Sequence, residues 1–423
     1  MKFLLVSNEA LTVDLAWQLA KEGHAVRFAV SGKADRDVGD GLVEKTDAWE
    51  PHADWADVVV FDYVSHAAEV ERLRKAGKAV VGGGAYADRL ELDRDFGQAE
   101  LRAAGLTTLP RWDFDSFDEA VAFLKKQPER VVVKPNGRAQ NDKVLSYVGQ
   151  EEDGRDVIEM LEHYKRGWAG KIRSFQLQKF AAGVEVAVGA YFNGRQFVLP
   201  ACVNFEHKRM CNGNLGPATG EMGTAMFWCG ANPLYEQTLA KLAGRLAESR
   251  YVGYFDINCI ANSRGIYPLE CTSRFGYPTI NIQIEGLLTP WGDFLAGLAK
   301  GEPVAPRAKR GYQVGVVVAV PPFPFVDPDA FRKYSEDAAV LFKRPVTEGF
   351  HPCDLKKVDG DWRLAGCSGY ALVMTGSGTT MEDARREAYG RVRAIVIPNM
   401  FYRTDIGESW REDADRLQAW GYI

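Results

Sequence analysis

The first ninety residues alternate apolar runs with segments of helical periodicity, and this order constrains the fold more strongly than any other feature of the chain. The first unit runs through residues 2–7, 12–21 and 25–30. The same order recurs in residues 56–61, 70–76 and 79–81. Strands separated by helices favour parallel pairing, with the helices on the faces of the sheet. We therefore predict an α/β domain over residues 1–90.

The turn after the first predicted strand carries no glycine. It reads Ser7-Asn8-Glu9-Ala10-Leu11, whereas a dinucleotide site needs glycines there so that the backbone can approach a pyrophosphate. A dinucleotide site is therefore disfavoured, and we interpret this domain as a platform or as half of a substrate site.

Antiparallel signals replace this pattern after residue 90. Two hairpins turn at Asn193-Gly194 and at residues 262–265. The other predicted elements are helices at 90–104, 117–126 and 234–249 and a strand at 131–134. Residues 91–302 are therefore predicted to form an α+β domain.

A proline-rich basic linker, residues 303–307, precedes the last part of the chain. Beyond it the patterns predict a strand at 312–320, a helix at 327–334, a hairpin at 355–364 and a helix at 380–397 that begins at the cap residue Thr380. We predict a small α+β domain over residues 303–423, which makes the chain an α/β and α+β multidomain protein.

The composition limits the class of partner. Lys and Arg total 52 and Asp and Glu total 57, a formal net charge of −5, so no overall positive field recruits nucleic acid. Nucleic acid is therefore disfavoured and stays open only as a local partner. No apolar run approaches the roughly 20 residues of a membrane span, and the opening stretch becomes polar too soon for a signal peptide. We expect a cytosolic monomer or homodimer without a membrane partner.

The seven cysteines do not suggest a crosslinked protein. Their number is odd and none forms a Cys-x-x-Cys pair, which fits reduced, buried thiols better than a disulfide or zinc framework.

Two segments have the residue types that a nucleotide needs. Lys134 ends an all-apolar strand, where a charge either reaches solvent or points at a ligand. A second apolar strand leads through Gln178-Lys179-Phe180-Ala181 to Glu185. The main chain there could meet an adenine edge, and Glu185 could accept the hydroxyl protons of a ribose. A surface turn is the alternative for this segment.

Asp256 and Glu270 lie on the two arms of the second predicted hairpin. Antiparallel pairing brings the carboxylates near each other, where they repel unless a cation lies between them. Such oxygen ligands suit Mg²⁺ beside phosphates, and Arg274 would clamp a phosphoryl group. An exposed acid pair on a wet face is the alternative, which the apolar flanking residues disfavour.

His207, Lys208 and Arg209 precede a glycine-rich loop that runs from Asn212 to Gly223. Cationic side chains before a loop rich in backbone donors can cradle an anion. A solvated run of charges is the alternative interpretation.

Together these segments resemble the ATP-grasp superfamily, and within it the glycinamide ribonucleotide synthetase (phosphoribosylamine–glycine ligase) family. The resemblance rests on His207-Lys208-Arg209 followed by Leu-Gly-Pro-Ala-Thr-Gly-Glu-Met-Gly, on Leu-Glu-Cys-Thr-Ser-Arg-Phe-Gly-Tyr-Pro at 269–278, and on the terminal segment 380–407. It covers nearly the whole chain in the same order. It implies an ATP-grasp fold in which residues 1–90 are the parallel-sheet domain, 91–302 the ATP-grasp domain with a smaller ATP-lid subdomain near 131–190, and 303–423 the terminal domain.

The resemblance also implies a reaction, in which ATP phosphorylates a carboxylate and an amine then displaces the phosphate. Such chemistry depends on positioning and charge neutralisation. The implied ATP contacts are Arg94, Lys134, Arg138, Lys143, Gln178, Lys179, Phe180, Ala181 and Glu185. The implied ligands of Mg²⁺ or Mn²⁺ are Asp256, Glu270 and Thr272. The implied catalytic residues are Arg274, Lys208 and Arg209, and the implied substrate contacts are His207, Lys208, Gly216, Pro217, Thr219, Gly220, Glu221 and Met222.

Several departures from the family concern the phosphoribosylamine pocket and the phosphate contacts. Residues 8–14 lack the family's Gly-Gly-Arg-Glu-His-Ala turn, and residues 61–66 replace its Gly-Pro-Glu-Ala-Pro turn. Arg94 stands where a lysine is usual, and Thr272 where a metal-binding asparagine is usual. The glycine-rich phosphate flap is replaced by residues 138–143, so either Arg138 and Lys143 hold phosphate through their side chains or ATP binding is weakened.

We therefore expect an ATP- and Mg²⁺-dependent ligase that activates glycine or a similar small amino acid and joins it to an amine other than phosphoribosylamine. The first alternative is an authentic phosphoribosylamine–glycine ligase with a differently built pocket. The second is a non-catalytic nucleotide-binding regulator, because resemblance alone does not prove activity.

Overall fold

The computed structural model describes residues 1–136, 139, 145–168 and 170–423. The strands of the first part are β1 (Lys2–Ser7), β2 (Ala25–Val30), β3 (Glu44–Thr46), β4 (Val58–Phe61), β5 (Ala79–Val81), β6 (Arg111–Phe114), β7 (Val131–Pro135), β8 (Tyr147–Val148) and β9 (Phe175–Lys179). Those that follow are β10 (Val184–Asn193), β11 (Phe197–Glu206), β12 (Arg209–Cys211), β13 (Leu215–Ala218), β14 (Gly223–Cys229), β15 (Val252–Asn262), β16 (Gly265–Thr272), β17 (Tyr312–Val318), β18 (Leu341–Phe342), β19 (Phe350–Pro352), β20 (Leu355–Val358), β21 (Asp361–Leu364), β22 (Leu372–Gly378) and β23 (Ile395–Val396).

The described α-helices alternate with these strands. They are α1 (Val13–Lys21), α2 (Ala67–Lys75), α3 (Ala85–Leu92), α4 (Arg94–Ala103), α5 (Phe117–Lys126), α6 (Arg155–Trp168), α7 (Pro233–Gln237), α8 (Leu239–Glu248), α9 (Thr279–Gly286), α10 (Trp291–Ala299), α11 (Pro328–Tyr334), α12 (Met381–Val392) and α13 (Trp410–Ala419). Within the described part of the chain, none of the helices is both long and apolar enough to cross a membrane.

The N-terminal strands form a five-stranded sheet in the order β3-β2-β1-β4-β5. Every pairing in it is parallel, as the alternation of strands and helices predicts. Both faces are apolar because the central strands β1 and β4 are buried along almost their whole length. The carboxyl ends of β1, β2 and β4 therefore meet at one edge, where polar residues follow each strand.

An eight-stranded sheet forms the centre of the molecule, in the order β16-β15-β10-β11-β14-β17-β22-β19. Its pairings are antiparallel, and the two predicted hairpins are confirmed as β10–β11 and β15–β16. The strands β17, β22 and β19 come from the part of the chain beyond residue 302, so the sheet continues across the predicted domain boundary. The division of the chain into three domains stays a prediction.

A smaller four-stranded sheet, β6-β9-β7-β8, packs separately. Side chains alternate between the two faces along β7 and β9. One face therefore carries Val131, Val133, Phe175 and Leu177, which form an apolar core with α5 and α6. The opposite face carries Lys134 and Gln176, which are register partners. A polar face of this sheet is thus available to a ligand.

Three predicted helices have different boundaries in the structure. Residues 90–104 form the end of α3 and all of α4, because Asp93 has extended backbone angles and its side chain accepts a hydrogen bond from Phe96 N. Thr238 likewise separates α7 from α8. The last long helix, α12, ends at Val392 rather than Ile397, while the predicted cap Thr380 accepts a hydrogen bond from Asp383 N.

A buried network of hydrogen-bonded side chains joins the N-terminal and C-terminal parts of the protein. The His351 ring of β19 lies 2.8 Å from Asp14 Oδ2 of α1 and 2.8 Å from Thr375 Oγ1 of β22. Asn281 of α9 donates a further hydrogen bond to Asp14. Because buried polar groups need partners, this network specifies how α1, α9 and the strands β19 and β22 pack together.

Candidate active site

One face of the eight-stranded sheet is apolar and the other is polar. Val186, Val188 and Ile257 point to the apolar core. The alternate positions carry polar side chains, namely Glu185, Asn204, Glu206, Asp256 and Asn258. The ladder places Glu185 beside Ile260, and Ala187 beside both Asn204 and Asn258. Strand alternation thus gathers distant polar residues onto one surface.

Lys208 lies at the centre of this polar face. Its Nζ is 2.7 Å from Glu185 Oε1 and 3.2 Å from Glu206 Oε2, and it donates to Asn258 Oδ1 at 3.3 Å. Burial alone would lower the pKa of Lys208, but Glu185 and Glu206 raise it well above its ordinary value. The residue is therefore a permanent cation among carboxylates.

A β-bulge brings Glu270 onto the same face as Asp256. Pairing runs from Asn262 with Gly265 to Cys259 with Pro268, and then shifts by one residue so that Asn258 faces Glu270 and Asp256 faces Thr272. Without the shift, Glu270 would face Ile257 and point toward the apolar side. The bulge is thus what assembles the predicted metal set of Asp256, Glu270 and Thr272 on one surface.

The carboxylates of this face are crowded. Burial first, and then Glu206, raise the pKa of Asp256 well above its ordinary value. Burial also raises the pKa values of Glu206 and Glu221, with further contributions from neighbouring carboxylates. Asp256 Oδ1 and Glu221 Oε1 are buried without a hydrogen-bond partner among the described residues. Such a cluster has a strong need for cations.

The chemistry of these donors fits a divalent cation held jointly with phosphates. Among the described residues, no group of three or more His, Cys, Asp or Glu side chains is arranged around a common metal position. Mg²⁺, however, is commonly bound by one or two carboxylates together with substrate phosphates. The orphaned Asp256 Oδ1 and the neighbouring Glu270 provide that partial set.

Two cations, Lys134 of the smaller sheet and Arg94 of α4, face this acidic surface. Burial first, and then Arg94, lower the pKa of Lys134 to about 8, and Glu270, Lys208 and Glu185 also act on it. Burial likewise lowers the pKa of Arg94, whereas Glu270 raises it. Lys134 and Arg94 therefore lie within electrostatic range of Glu270, and the two sheets form the walls of one cleft.

The segment predicted to meet adenine follows this cleft. Gln178 is buried in β9 between β6 and β7. Lys179 N donates to Pro110 O and Phe180 N donates to Arg130 O. The Lys179 ammonium pairs with Glu129, and the Phe180 ring lies under the Arg130 guanidinium. The side chain of Lys179 is thus engaged away from the acidic face.

The predicted contacts of this segment with ATP stay predictions. Ala181 follows Phe180 and is half-buried, at the end of the segment that leads to Glu185. Arg138 and Lys143, the two predicted phosphate contacts of the segment 138–143, lie outside the described residues.

Arg274 lies at the border between the cleft and the N-terminal domain. Its Nε donates to Glu91 Oε1 at 3.0 Å, and its guanidinium lies 5.7 Å from the ring centre of Tyr63 and 5.8 Å from that of Tyr277. Although burial acts to lower it, Glu91 and the tyrosines raise the pKa of Arg274. The predicted phosphoryl clamp thus has a carboxylate partner that orients it.

The glycine-rich loop forms a small flap beside Lys208. Its strands β12 and β13 pair with each other through the turn at Asn212–Asn214, where Gly213 has a φ of +66°. Thr219 N and Oγ1 both donate to Lys208 O, and Met222 N donates to His207 O. Arg209 Nη1 donates to Gly216 O. We define the flap as residues 209–218.

The structure separates the predicted loop residues into two groups. His207, Lys208, Thr219, Glu221 and Met222 lie at the base of the flap, and all of them except Lys208 are buried. Burial first, and then Arg403, lower the pKa of His207 to about 4, so its ring is neutral near pH 7. The remaining predicted residues are Arg209 and Pro217, which are half-buried, and Gly216 and Gly220, which are exposed.

Three residues of the site are not indicated by the sequence patterns. Glu206 and Asn258 contact Lys208, and Glu91 holds Arg274. Glu206 lies two residues before Lys208, and Asn258 two residues after Asp256, so the alternation of a strand is the signal that could have identified both. Glu91 comes from α3, and its pairing depends on tertiary packing.

The edge of the parallel sheet adjoins the Arg274 end of the cleft. Tyr277 Oη donates to Asp62 O at 3.1 Å, and Thr12 Oγ1 donates to Asp62 Oδ2 at 2.8 Å. Burial first, with Glu9 also contributing, raises the pKa of Asp62 to about 6. Carboxyl groups therefore occupy the end of the cleft formed by the N-terminal domain.

Comparisons with known proteins agree with this geometry. A family model described as phosphoribosylglycinamide synthetase, ATP-grasp (A) domain, matches residues 93–279. A phosphoribosylamine–glycine ligase of Listeria innocua is 27% identical over 346 residues, 80% of this chain and 80% of that protein. One of Neisseria meningitidis is 26% identical over 431 residues, 96% and 99% of the two chains.

A solved structure is similar over nearly the whole chain. The crystal structure of phosphoribosylamine–glycine ligase from Thermotoga maritima superposes with a TM-score of 0.71 at 22% identity and covers 96% of this chain and 100% of that one. The matched segment 93–279 contains both walls of the cleft. The predicted fold and resemblance are thus confirmed: the chain has the ATP-grasp fold, and residues 93–279 match the ATP-grasp domain of phosphoribosylglycinamide synthetases, which are ATP-dependent ligases that form a C–N bond.

Proposed function

We propose that the protein activates the carboxylate of glycine, or of a similarly small amino acid, as an acyl phosphate and transfers the acyl group to an amine. The observation that carries this proposal is the cleft in which Lys134 and Arg94 face Glu270, which shares one face of the sheet with Asp256. This arrangement of cations opposite carboxylates suits a nucleoside triphosphate with its metal.

Within this proposal, Lys134 and Arg94 bind the ATP phosphates. Asp256 and Glu270 would hold Mg²⁺ or Mn²⁺, which when bound neutralises phosphate charge. Thr272 lies opposite Asp256 and orients its carboxylate. Glu185, at the end of the adenine segment, accepts from the ribose and from Lys208.

The two steps balance as an ordinary acyl transfer. A carboxylate oxygen of the amino acid attacks the γ-phosphorus, the bond to ADP breaks, and ADP leaves with the electron pair. The amine nitrogen then attacks the acyl carbon, the carbon–oxygen bond to phosphate breaks, and the nitrogen loses one proton. Arg274, oriented by Glu91, neutralises charge on the transferring phosphoryl group, and Lys208 does so on the acyl oxygen.

Phosphoribosylamine is the first candidate for the amine. The relatives from Listeria innocua, Neisseria meningitidis and Thermotoga maritima are all named phosphoribosylamine–glycine ligases. These comparisons support this acceptor better than any other, contrary to the main expectation from the altered turns. They also favour a ligase over a non-catalytic regulator.

A second candidate is an amine that carries no phosphate. Asp62 follows β4 and the exposed Glu9 follows β1, so carboxyl groups lie at the sheet edge where the family's phosphoribosylamine turns have been replaced. Negative charge there would repel a sugar phosphate and attract a neutral or cationic amine. This observation alone favours the second candidate.

A hydroxylamine assay tests the activation step whatever the natural acceptor is, because hydroxylamine captures an acyl phosphate directly. The protein is incubated with ATP, Mg²⁺, glycine and hydroxylamine, and both ADP and glycine hydroxamate are measured. We expect both products in equal amounts with the wild type, and at least a 100-fold lower rate with Asp256→Asn. Absence of glycine-dependent ADP release from the wild type would contradict the proposal.

The acceptor is then identified by competition. Phosphoribosylamine, formed in situ from ribose 5-phosphate and ammonia, is compared with 2-aminoethanol and 1,3-diaminopropane. A kcat/KM at least tenfold higher for phosphoribosylamine supports the first candidate, and the reverse order supports the second. The Glu9→Gln variant should reduce a preference for the diamine if the sheet edge selects charge.

A further inference from the structure

The segment 401–407, which lies between α12 and α13 and is here called the tail, contains an arginine that is almost fully buried. Arg403 is 1% exposed. Its Nε and Nη2 donate to the two oxygens of Asp405 at 2.8 and 2.7 Å. A buried guanidinium costs several kcal/mol of desolvation unless its donors are satisfied, so this pair needs further acceptors nearby.

Those acceptors come from the flap. Arg403 Nη1 donates to Arg209 O at 3.0 Å and to Asn214 Oδ1 at 2.9 Å. Gly213 N donates to Asp405 Oδ2 at 2.8 Å, and Thr404 N donates to Asn212 Oδ1 at 3.0 Å. The tail therefore holds the flap at four successive places along its length.

The tail is itself anchored to α12. Tyr389 Oη of α12 donates to Arg403 O and accepts from Ile406 N, both at 3.0 Å. Arg385 Nε of the same helix donates to Ile406 O at 2.8 Å. Ile406 is fully buried and lies against Gly223, where an added Cβ would come 2.9 Å from its Cδ1. The tail is thus a rigid support rather than a loose end.

The flap has little apolar packing of its own. Leu215 at its tip is 68% exposed, and Asn212 and Gly213 are also exposed. At its base, Thr219 donates two hydrogen bonds to Lys208 O. Displacement of the flap would therefore pull directly on the main chain of Lys208.

We propose that Arg403 and Asp405 are positioning residues of the ligase reaction, which hold the flap so that Lys208 keeps its ammonium among the site carboxylates. The inference rests on the proposed function, because it assigns Lys208 a place in the reaction. If this is so, loss of the tail contacts changes the turnover rate more than the binding of ATP. The residues proposed to bind the ATP phosphates, Lys134 and Arg94, lie in another part of the cleft and do not depend on the tail.

Two mild substitutions in the full-length protein test this role. Asn214→Gly removes the side-chain acceptor of Arg403 and tolerates the φ of +57° at this position. Asp405→Asn keeps an acceptor for Gly213 N and removes the charge that pairs with Arg403. Arg416→Lys, in an exposed ion pair with Glu412 on α13, is the control. Each variant is assayed for glycine hydroxamate formation, for KM of ATP, for Tm, and for trypsin cleavage after Arg209.

We expect kcat to fall at least tenfold in Asp405→Asn and about threefold in Asn214→Gly, with KM of ATP close to the control. Asn214→Gly should keep its Tm close to the control, whereas Asp405→Asn should also lower Tm because buried Arg403 loses its charged partner. Cleavage after Arg209 should accelerate at least tenfold in Asp405→Asn. An unchanged kcat, or a kcat that falls only in proportion to Tm, would overturn the proposal. If the wild type forms no hydroxamate, the proposed function fails, whereas the proteolysis result still shows whether the tail holds the flap.

Discussion

The ammonium of Lys208 lies 2.7 Å from Oε1 of Glu185 and so joins the end of the segment predicted to meet adenine to the glycine-rich flap. The same ammonium contacts Glu206, whose side chain is only 9% exposed. One cation thus offsets two carboxylates that come from neighbouring strands and would otherwise repel each other.

Removal of that cation should damage both stability and catalysis. We expect Lys208→Met to lower the free energy of unfolding by about 2 kcal/mol, because Glu206 stays buried without its partner, and to lower hydroxamate formation at least 100-fold. Urea denaturation and the hydroxamate assay measure the two effects. Lys165→Met, which breaks an exposed pair with Asp118, is the control and should cost less than about 0.5 kcal/mol. Equal losses in the two variants would show that Lys208 is an ordinary surface cation.

The affinity for ATP should depend on pH through Lys134. Its pKa is lowered to about 8 by burial and by Arg94, so in the free enzyme the positive charge is lost as pH rises through about 8. We expect kcat/KM for ATP to fall above that pH in the wild type. In Lys134→Arg this inflection should be absent, because a guanidinium stays charged. An identical profile in both proteins would rule out Lys134 as the titrating group.

The lowered pKa of Lys134 also determines how folding stability changes with pH. An unfolded lysine titrates near 10.5, above the folded value, so the unfolded state binds the proton more tightly. The charged form therefore costs stability below about pH 8, and this cost disappears as pH rises from 8 to 10.5.

Asp354 should make the protein less stable at high pH. Burial raises its pKa to about 7 from an ordinary 3.8. The folding stability that depends on its protonated form is therefore fully present below pH 3.8 and is lost as pH rises toward 7. Ser368 Oγ and Gly369 N donate to its Oδ2, and an asparagine oxygen can replace that acceptor. We expect Asp354→Asn to gain about 2 kcal/mol relative to the wild type between pH 5 and pH 8. Parallel stability curves from urea denaturation would contradict this assignment.

Asp256→Asn should separate stability from activity. The substitution removes one of several crowded carboxyl groups, so the protein without ligands should become more stable by about 1 kcal/mol. The same variant should lose at least 100-fold in turnover because the proposed function makes Asp256 a ligand of the metal that neutralises the ATP phosphates. Thermal denaturation and the hydroxamate assay give both values, and the exposed Glu248→Gln is the matched control. Lower stability together with full activity would argue that Asp256 has a purely structural role.

Much of the architecture could be predicted from local patterns. Alternating apolar runs identify the parallel sheet, and the turns at Asn193-Gly194 and residues 262–265 identify the hairpins. Helix breaks could not be predicted in the same way, because Asp93 and Thr238 end helices through their backbone angles and side-chain hydrogen bonds. Periodicity is nearly the same on both sides of such a break.

The site was predictable in its residue types but not in its register. Asp256 and Glu270 are recognisable as a pair, yet the bulge after Asn258 decides that they share a face. The pairing of Arg274 with Glu91 joins segments 183 residues apart, and the support of the flap by Arg403 joins segments 194 residues apart. Such contacts depend on tertiary packing, which a linear pattern does not encode.

The transfer of oxygen from glycine to phosphate tests the acyl phosphate most directly. The protein is supplied with ATP, Mg²⁺, hydroxylamine and glycine that carries ¹⁸O in both carboxylate positions, and the phosphate product is examined by ³¹P NMR. Each phosphate released should contain one ¹⁸O atom, because the carboxylate oxygen that attacks the γ-phosphorus leaves with it. Phosphate without ¹⁸O, released together with ADP, would show that ATP is hydrolysed by water and would contradict the proposed activation of the carboxylate.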